Sequence, residues 1–116
     1  VNSNVKLLLR YLKLVGGNAM GGSGGSIYVR GELNLYYSEI SDNEAFVGGA
    51  IAAKGDSGTN KNAIVNIYNS VIKDNENTEY GSAGGIFIQN GVATVEDTTI
   101  DNNKAGTQAV GGGVYV

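Results

Sequence analysis

The chain has 116 residues, 41% of them hydrophobic, which suffices for one narrow core but not for two separate ones. It contains no Cys, His, Pro or Trp, so disulfide staples, thiolate metal sites and histidine general bases are excluded, and any catalysis must run on carboxylates, Lys, Arg or Tyr. The net charge of −3 conceals an asymmetry: residues 1 to 31 carry Lys6, Arg10, Lys13 and Arg30 with no acid, and the rest of the chain sums to 4 − 11 = −7. That acidic remainder disfavours nucleic acid as a partner. No stretch approaches the roughly 20 apolar residues of a membrane span.

In chain order, Val5 to Val15 reads in two ways. Leu7, Leu9 and Leu14 fit the frame of a strand and turn that recurs later, whereas Val5, Leu8, Leu9, Leu12 and Val15 share one face of a basic amphipathic helix, which would make residues 1 to 22 a capping element. A glycine-rich corner over 16 to 25 lacks the Gly-Lys-Ser/Thr of a phosphate loop. The first clear block follows, Gly24-Gly25-Ser26-Ile27-Tyr28-Val29. It returns as Gly48-Gly49-Ala50-Ile51-Ala52-Ala53, as Ala83-Gly84-Gly85-Ile86-Phe87-Ile88 and as Gly111-Gly112-Gly113-Val114-Tyr115-Val116. Between these blocks two alternating apolar residues precede a third five positions later: Leu33, Leu35 and Ile40, then Val65, Ile67 and Ile72, then Ala93, Val95 and Ile100. Three residues after each third position stands an asparagine, Asn43, Asn75 or Asn103.

The interval from Ile27 to Ile51 is 24 residues, from Ile51 to Ile86 it is 35 and from Ile86 to Val114 it is 28. Fixed corners with elastic loops, the longest being the polar segment 54 to 62, predict a solenoid whose coils each add one rung to parallel sheets. The expected fold is an all-β, right-handed parallel β-helix of about four coils with three short strands per coil, spanning 1 to 116 as one segment. At period 2 the alternating apolar residues face inward and stack into ladders about 4.8 Å apart. Asn43, Asn75 and Asn103 form a second ladder whose amides satisfy one another, and Gly25, Gly49, Gly84 and Gly112 let the opposite corner turn without a Cβ clash. The sequence shows no cap after the last block, which predicts either a longer solenoid or end-to-end stacking with further copies.

The Gly-Gly-Ala-Ile of 48 to 51, with Ile-x-x-Asn at 40 to 43, 72 to 75 and 100 to 103, resembles the repeats of the polymorphic outer membrane protein family, whose paired motifs are GGAI and FxxN. Here Ile replaces the Phe each time. The resemblance implies a parallel β-helix that is secreted or displayed on a cell surface, acting as a structural or adhesive module toward a protein or cell-surface glycan.

Two sets of side chains qualify as sites. Asp42 and Asp74 precede the ladder asparagines, with Asn102 at the third copy, so stacked oxygens could converge on Ca²⁺; the competing reading is a turn residue bonded to its own backbone. Tyr28, Tyr36, Tyr68, Phe87 and Tyr115, with Tyr37 and Tyr80 nearby, could line an outward strip for stacking on sugars or a protein, or could be ordinary strand decoration. No carboxylate pair recurs across the coils. The expected function is therefore a non-enzymatic extracellular module, with a carbohydrate-active β-helix fragment and a self-assembling filament subunit as alternatives.

Overall fold

The computed structural model describes residues 1–116, the side chain of Glu79 excepted. It is all-β, a parallel solenoid of four coils. The first coil holds β1 (Lys6–Arg10), β2 (Lys13–Val15), β3 (Asn18–Ser23) and β4 (Ile27–Val29). The second holds β5 (Glu32–Tyr36), β6 (Glu39–Ser41), β7 (Glu44–Val47) and β8 (Ile51–Lys54), and the third β9 (Ala63–Tyr68), β10 (Val71–Lys73), β11 (Glu76–Ser82) and β12 (Ile86–Gln89). The fourth holds β13 (Gly91–Glu96), β14 (Thr99–Asp101) and β15 (Val114–Tyr115). Like strands of successive coils pair in parallel, giving the sheets β1-β5-β9-β13, β2-β6-β10-β14, β3-β7-β11 and β4-β8-β12-β15.

The complete coils therefore have four sides, where the sequence suggests three. The unexpected side is β3-β7-β11, between the asparagine corner and the glycine corner. Only one of its rows points into the core, Ala19, Ala45 and Asn77 in register, with Ala45 and Asn77 buried and Ala19 partly so, so it lacks the two-residue apolar alternation that marks a strand in sequence. The fourth coil follows this side only through isolated bridges, Glu76 to Lys104 and Ser82 to Val110.

The N-terminal stretch is strand. Leu7 pairs with Leu33 and Leu9 with Leu35 in β1 and β5, while Leu14 pairs with Ile40 in β2 and β6. The helical alternative loses because three inward leucines complete the ladders of the later coils and gain burial that an isolated helix face would lack. Inside, Leu33 and Val65, Leu35 and Ile67, Ile40 and Ile72, and Ile51 and Ile86 stack one above another, all within about 1% of full burial. The molecule measures 33 × 33 × 20 Å, and four rungs at about 4.8 Å account for the short dimension. It is wider than it is tall.

Candidate functional site: columns along the solenoid axis

The corner between the second and third sheets is built by the residue pair Gly16-Gly17, Asp42-Asn43, Asp74-Asn75 and Asn102-Asn103. The first member of each pair is left-handed, with φ of 73°, 56°, 55° and 48°. Gly, Asp and Asn are the residues that enter this region most readily, so Asp42 and Asp74 serve as turn formers. They stack as expected, and the Asn102 amide donates to the Asp74 carboxylate. A shallow depression beside them is lined by both aspartates, Glu76, Asn102 and Lys104, so a lysine shares the space a cation would use. Among the described residues, no three carboxylates are placed closely enough, there or elsewhere, to hold a metal ion together.

The second member of each pair forms the asparagine ladder. Asn75 Oδ1 accepts from the Asn43 backbone N–H (3.1 Å) and side-chain amide (2.9 Å). Asn103 Oδ1 accepts from the same two groups of Asn75, at 3.0 and 2.9 Å. Each Nδ2 also donates to a carbonyl one coil back: Asn43 to Leu14, Asn75 to Ile40 and Asn103 to Ile72. In the first coil Gly17 replaces the asparagine and donates its own N–H to Asn43 Oδ1 at 2.8 Å. These amides sit at 2% exposure or less at Asn43 and Asn75, where an unpaired polar group would be costly.

A parallel column of hydroxyls at the next corner escapes the sequence reading. Ser38 Oγ accepts from Leu12 N–H, Ser70 Oγ from Ser38 N–H, and Thr98 Oγ1 from Ser70 N–H, at 3.2 to 3.3 Å. Each hydroxyl in turn donates to the carbonyl two residues before it, of Tyr36, Tyr68 and Glu96. The missed signal was their spacing, 32 and then 28 residues, which equals that of the asparagine ladder. Serine and threonine are common in any strand-rich chain, so one such row does not stand out without its partners. Replacing Ser70 by Ala leaves the buried Ser38 N–H without an acceptor, and urea denaturation should show a loss of about 1–3 kcal/mol.

The expected glycine column stands at the opposite corner. A Cβ on Gly49 would lie 2.2 Å from the Gly84 carbonyl oxygen, and one on Gly25 equally close to that of Gly49. The residue before each is again left-handed: Gly24, Gly48, Ala83 and Gly111. Gly84 meets the Lys104 carbonyl of the fourth coil in the same way, at 2.3 Å, and Gly112 meets the Asn103 carbonyl of its own coil at 2.8 Å.

The five aromatic candidates do not form one strip. Tyr36 and Tyr68 stack on the outer face of the first sheet, centroids 5.0 Å apart and planes 16° from parallel. Phe87 and Tyr115 stack at 5.7 Å and 7° on the fourth sheet. Tyr28 lies on that same sheet, but Ala52 occupies the intervening rung. These rings also stack on each other, so their faces point along the solenoid axis rather than outward. Tyr36 has Tyr68 on one side and the Arg10 guanidinium 5.1 Å from its centroid; Phe87 has Tyr115 and, at 5.5 Å, the Lys54 ammonium. A sugar platform needs an open ring face, and Tyr36 and Phe87 offer little. A third stack, Tyr11 on Tyr37 at 5.2 Å and 9°, is more exposed.

The outer acids are likewise engaged. Glu32 receives the Asn34 amide (2.9 Å) and the Lys6 ammonium (3.0 Å), and these hold its carboxyl below the usual carboxylate range. Lys13 at 3.1 Å, with Ser41 and Lys73, does the same for Glu39. The polar segment 54 to 62 is a small hairpin: Asp56 and Lys61 exchange backbone hydrogen bonds, Asp56 Oδ1 caps Gly58 N–H, and Lys61 Nζ reaches Asn4 Oδ1 at 3.1 Å. It straps the third coil to the N-terminal segment. No family model matches the chain, and no curated protein or solved structure matches it either.

Proposed function

We propose that this chain is a non-enzymatic structural module of a cell-surface or secreted protein, a stiff solenoid segment that holds outward side chains in fixed columns for an adhesive contact. The observation that carries this reading is the use of polar groups along the axis. Asparagine amides and hydroxyls repeat from coil to coil and bond to their equivalents, aromatic rings stack in pairs across adjacent coils, and the Lys6–Glu32 and Lys13–Glu39 ion pairs tie the first coil to the second. Such networks rigidify a fold, because moving one member breaks the bonds of the next. The likeness of the Gly-Gly-Ala-Ile and Ile-x-x-Asn motifs to surface-displayed repeats supports the same reading.

The competing class, a carbohydrate-active fragment, makes a different prediction in a simple assay. The protein is incubated with pectate, alginate, xylan and cellulose, with and without added Ca²⁺, and new reducing ends and unsaturated uronates are measured. The module reading expects neither above the rate of a heat-inactivated control. Release of either product by the folded protein overturns it.

A further inference from the structure

A cavity opens at the corner where the fourth sheet passes into the first. Its walls are the N-terminal segment 3 to 6, the turn Arg30-Gly31-Glu32 between β4 and β5, Lys61 and Asn62 of the hairpin, and Ile64 in β9. Backbone hydrogen bonds fix each wall: Arg30 N–H to Val1 O, Glu32 N–H to Val5 O, Ile64 N–H to Gly31 O, and Lys61 N–H to Asp56 O. The Lys61 ammonium donates to Asn4 Oδ1 at 3.1 Å, which joins the hairpin to the N-terminal segment. The cavity holds about 250 Å³, just below the roughly 300–1,000 Å³ that drug-sized ligands fill, so it suits a smaller molecule.

Its charge runs against that of the chain. Lys6, Arg30 and Lys61 line it with one acid, Glu32, an excess of 3 − 1 = +2 in a protein of net charge −3. Both oxygens of Glu32 are engaged, one by the Asn34 amide at 2.9 Å and the other by Lys6 at 3.0 Å. Arg30 and Lys61 have no such partner: among the described residues, no carboxylate stands at ion-pair distance from either. Asp56 is close enough to Arg30 to feel its charge, but its carboxylate is bonded to Thr59 and to the Gly58 N–H; with Asp56 counted, one cation remains in excess. The next coil treats its cation differently. Lys54 follows Ala53 as Arg30 follows Val29, and its ammonium lies over the Phe87 ring. The lining also includes Val5 and Ile64, 48% and 37% exposed, so apolar surface stands beside the two unpaired cations.

A planar guanidinium with an ammonium nearby matches a carboxylate, which it can hold by two parallel hydrogen bonds. A doubly charged phosphate fits less well, because Glu32 in the wall opposes a second negative charge and the cavity offers one guanidinium only. We propose that this cavity binds a small organic carboxylate, its charged end held by Arg30 and Lys61 and its apolar body against Val5 and Ile64. The site goes beyond the structural reading above and does not rest on it, since none of these four residues belongs to the asparagine, hydroxyl or glycine columns.

The test is titration of the protein with cyclohexanecarboxylate, galacturonate, the neutral cyclohexanecarboxamide and inorganic phosphate, followed by the backbone amide resonances of Arg30, Gly31 and Asn62 in NMR. At least one of the two carboxylates is expected to bind with a Kd of about 1 mM and to weaken as salt is raised, while the carboxamide shifts none of these resonances. The tighter of the two distinguishes an alicyclic acid from an acidic sugar as the source of the carboxylate. Arg30→Gln should weaken binding about tenfold or more, and Arg30→Lys about threefold, because the charge is kept and the paired hydrogen bonds are lost. Lys61→Gln should cost about threefold, and Lys104→Gln, at another corner, should bind as the parent does. Arg30 and Lys61 are exposed, so the thermal midpoints should stay unchanged, which separates lost binding from lost folding. The proposal is overturned if neither carboxylate shifts these resonances, if the carboxamide binds as tightly, if phosphate alone binds, or if Arg30→Gln binds as tightly as the parent. Product release in the polysaccharide assay would instead overturn the module reading, and the two failures are read separately.

Discussion

Replacing Asn75 by alanine should destabilise the protein by about 3–5 kcal/mol, the largest effect expected of any single polar side chain here. Asn75 is fully buried in the central coils. Its oxygen accepts two hydrogen bonds from Asn43, and its Nδ2 donates to the Ile40 and Lys73 carbonyls and to Asn103 Oδ1. Alanine strands those partners without water, at about 1–3 kcal/mol for each buried group left unpaired. Partial rescue by a water entering the vacated space sets the lower end of the range. Asn103→Ala should cost less, because Asn103 is only half-buried. Urea denaturation of both variants measures the difference. A loss near 1 kcal/mol for Asn75→Ala would mean that the ladder contributes no more than one ordinary hydrogen bond.

Gly49→Ala is expected to cost about 3 kcal/mol or more, by a different mechanism. Its Cβ would sit 2.2 Å from the Gly84 oxygen and 2.5 Å from the Glu76 oxygen. Both obstacles are backbone and belong to the coil above, so no side chain can rotate away. Separating the coils would stretch the neighbouring hydrogen bonds from Gly49 N–H to Ala83 O and from Ala50 N–H to Gly85 O, at 3.1 and 3.0 Å. Gly16→Asn is the matching control. Gly16 is left-handed with open space around it, and the later coils place Asp42, Asp74 and Asn102 in its position, so the change should stay within about 0.5 kcal/mol. Thermal melts of both variants decide the matter: a loss for Gly49→Ala no larger than that for Gly16→Asn would mean that the approach of the next coil does not require glycine at 49.

The inward ladders and the two corners were legible in the sequence because stacking makes them periodic. A residue that must sit above its equivalent repeats in type, and Leu33, Val65 and Ala93, or Asn43, Asn75 and Asn103, carry that repetition across intervals that vary in length. The asparagines and glycines were legible as sites of structure for the same reason, since few other residues can donate and accept along an axis or leave room for a carbonyl.

Three things were decided only by the tertiary structure. The fourth side of the coil was invisible because a strand with one small inward residue per rung has no amphipathic period. The N-terminal segment was ambiguous because its leucines suit both periods, and only the presence of Leu33, Leu35 and Ile40 on the next coil selects the strand. Whether the aromatic residues form a binding strip or plain strand decoration was open in the sequence, because alternation tells which side of a sheet a ring occupies but not which way its face turns. Stacking at a rung spacing of about 5 Å aligns the faces along the axis, closes Tyr36 and Phe87 between neighbours, and leaves the Tyr37 corner open beside Asn69. Local sequence determines which rings point outward; the identity of the residue one coil away determines which of them keep an open face.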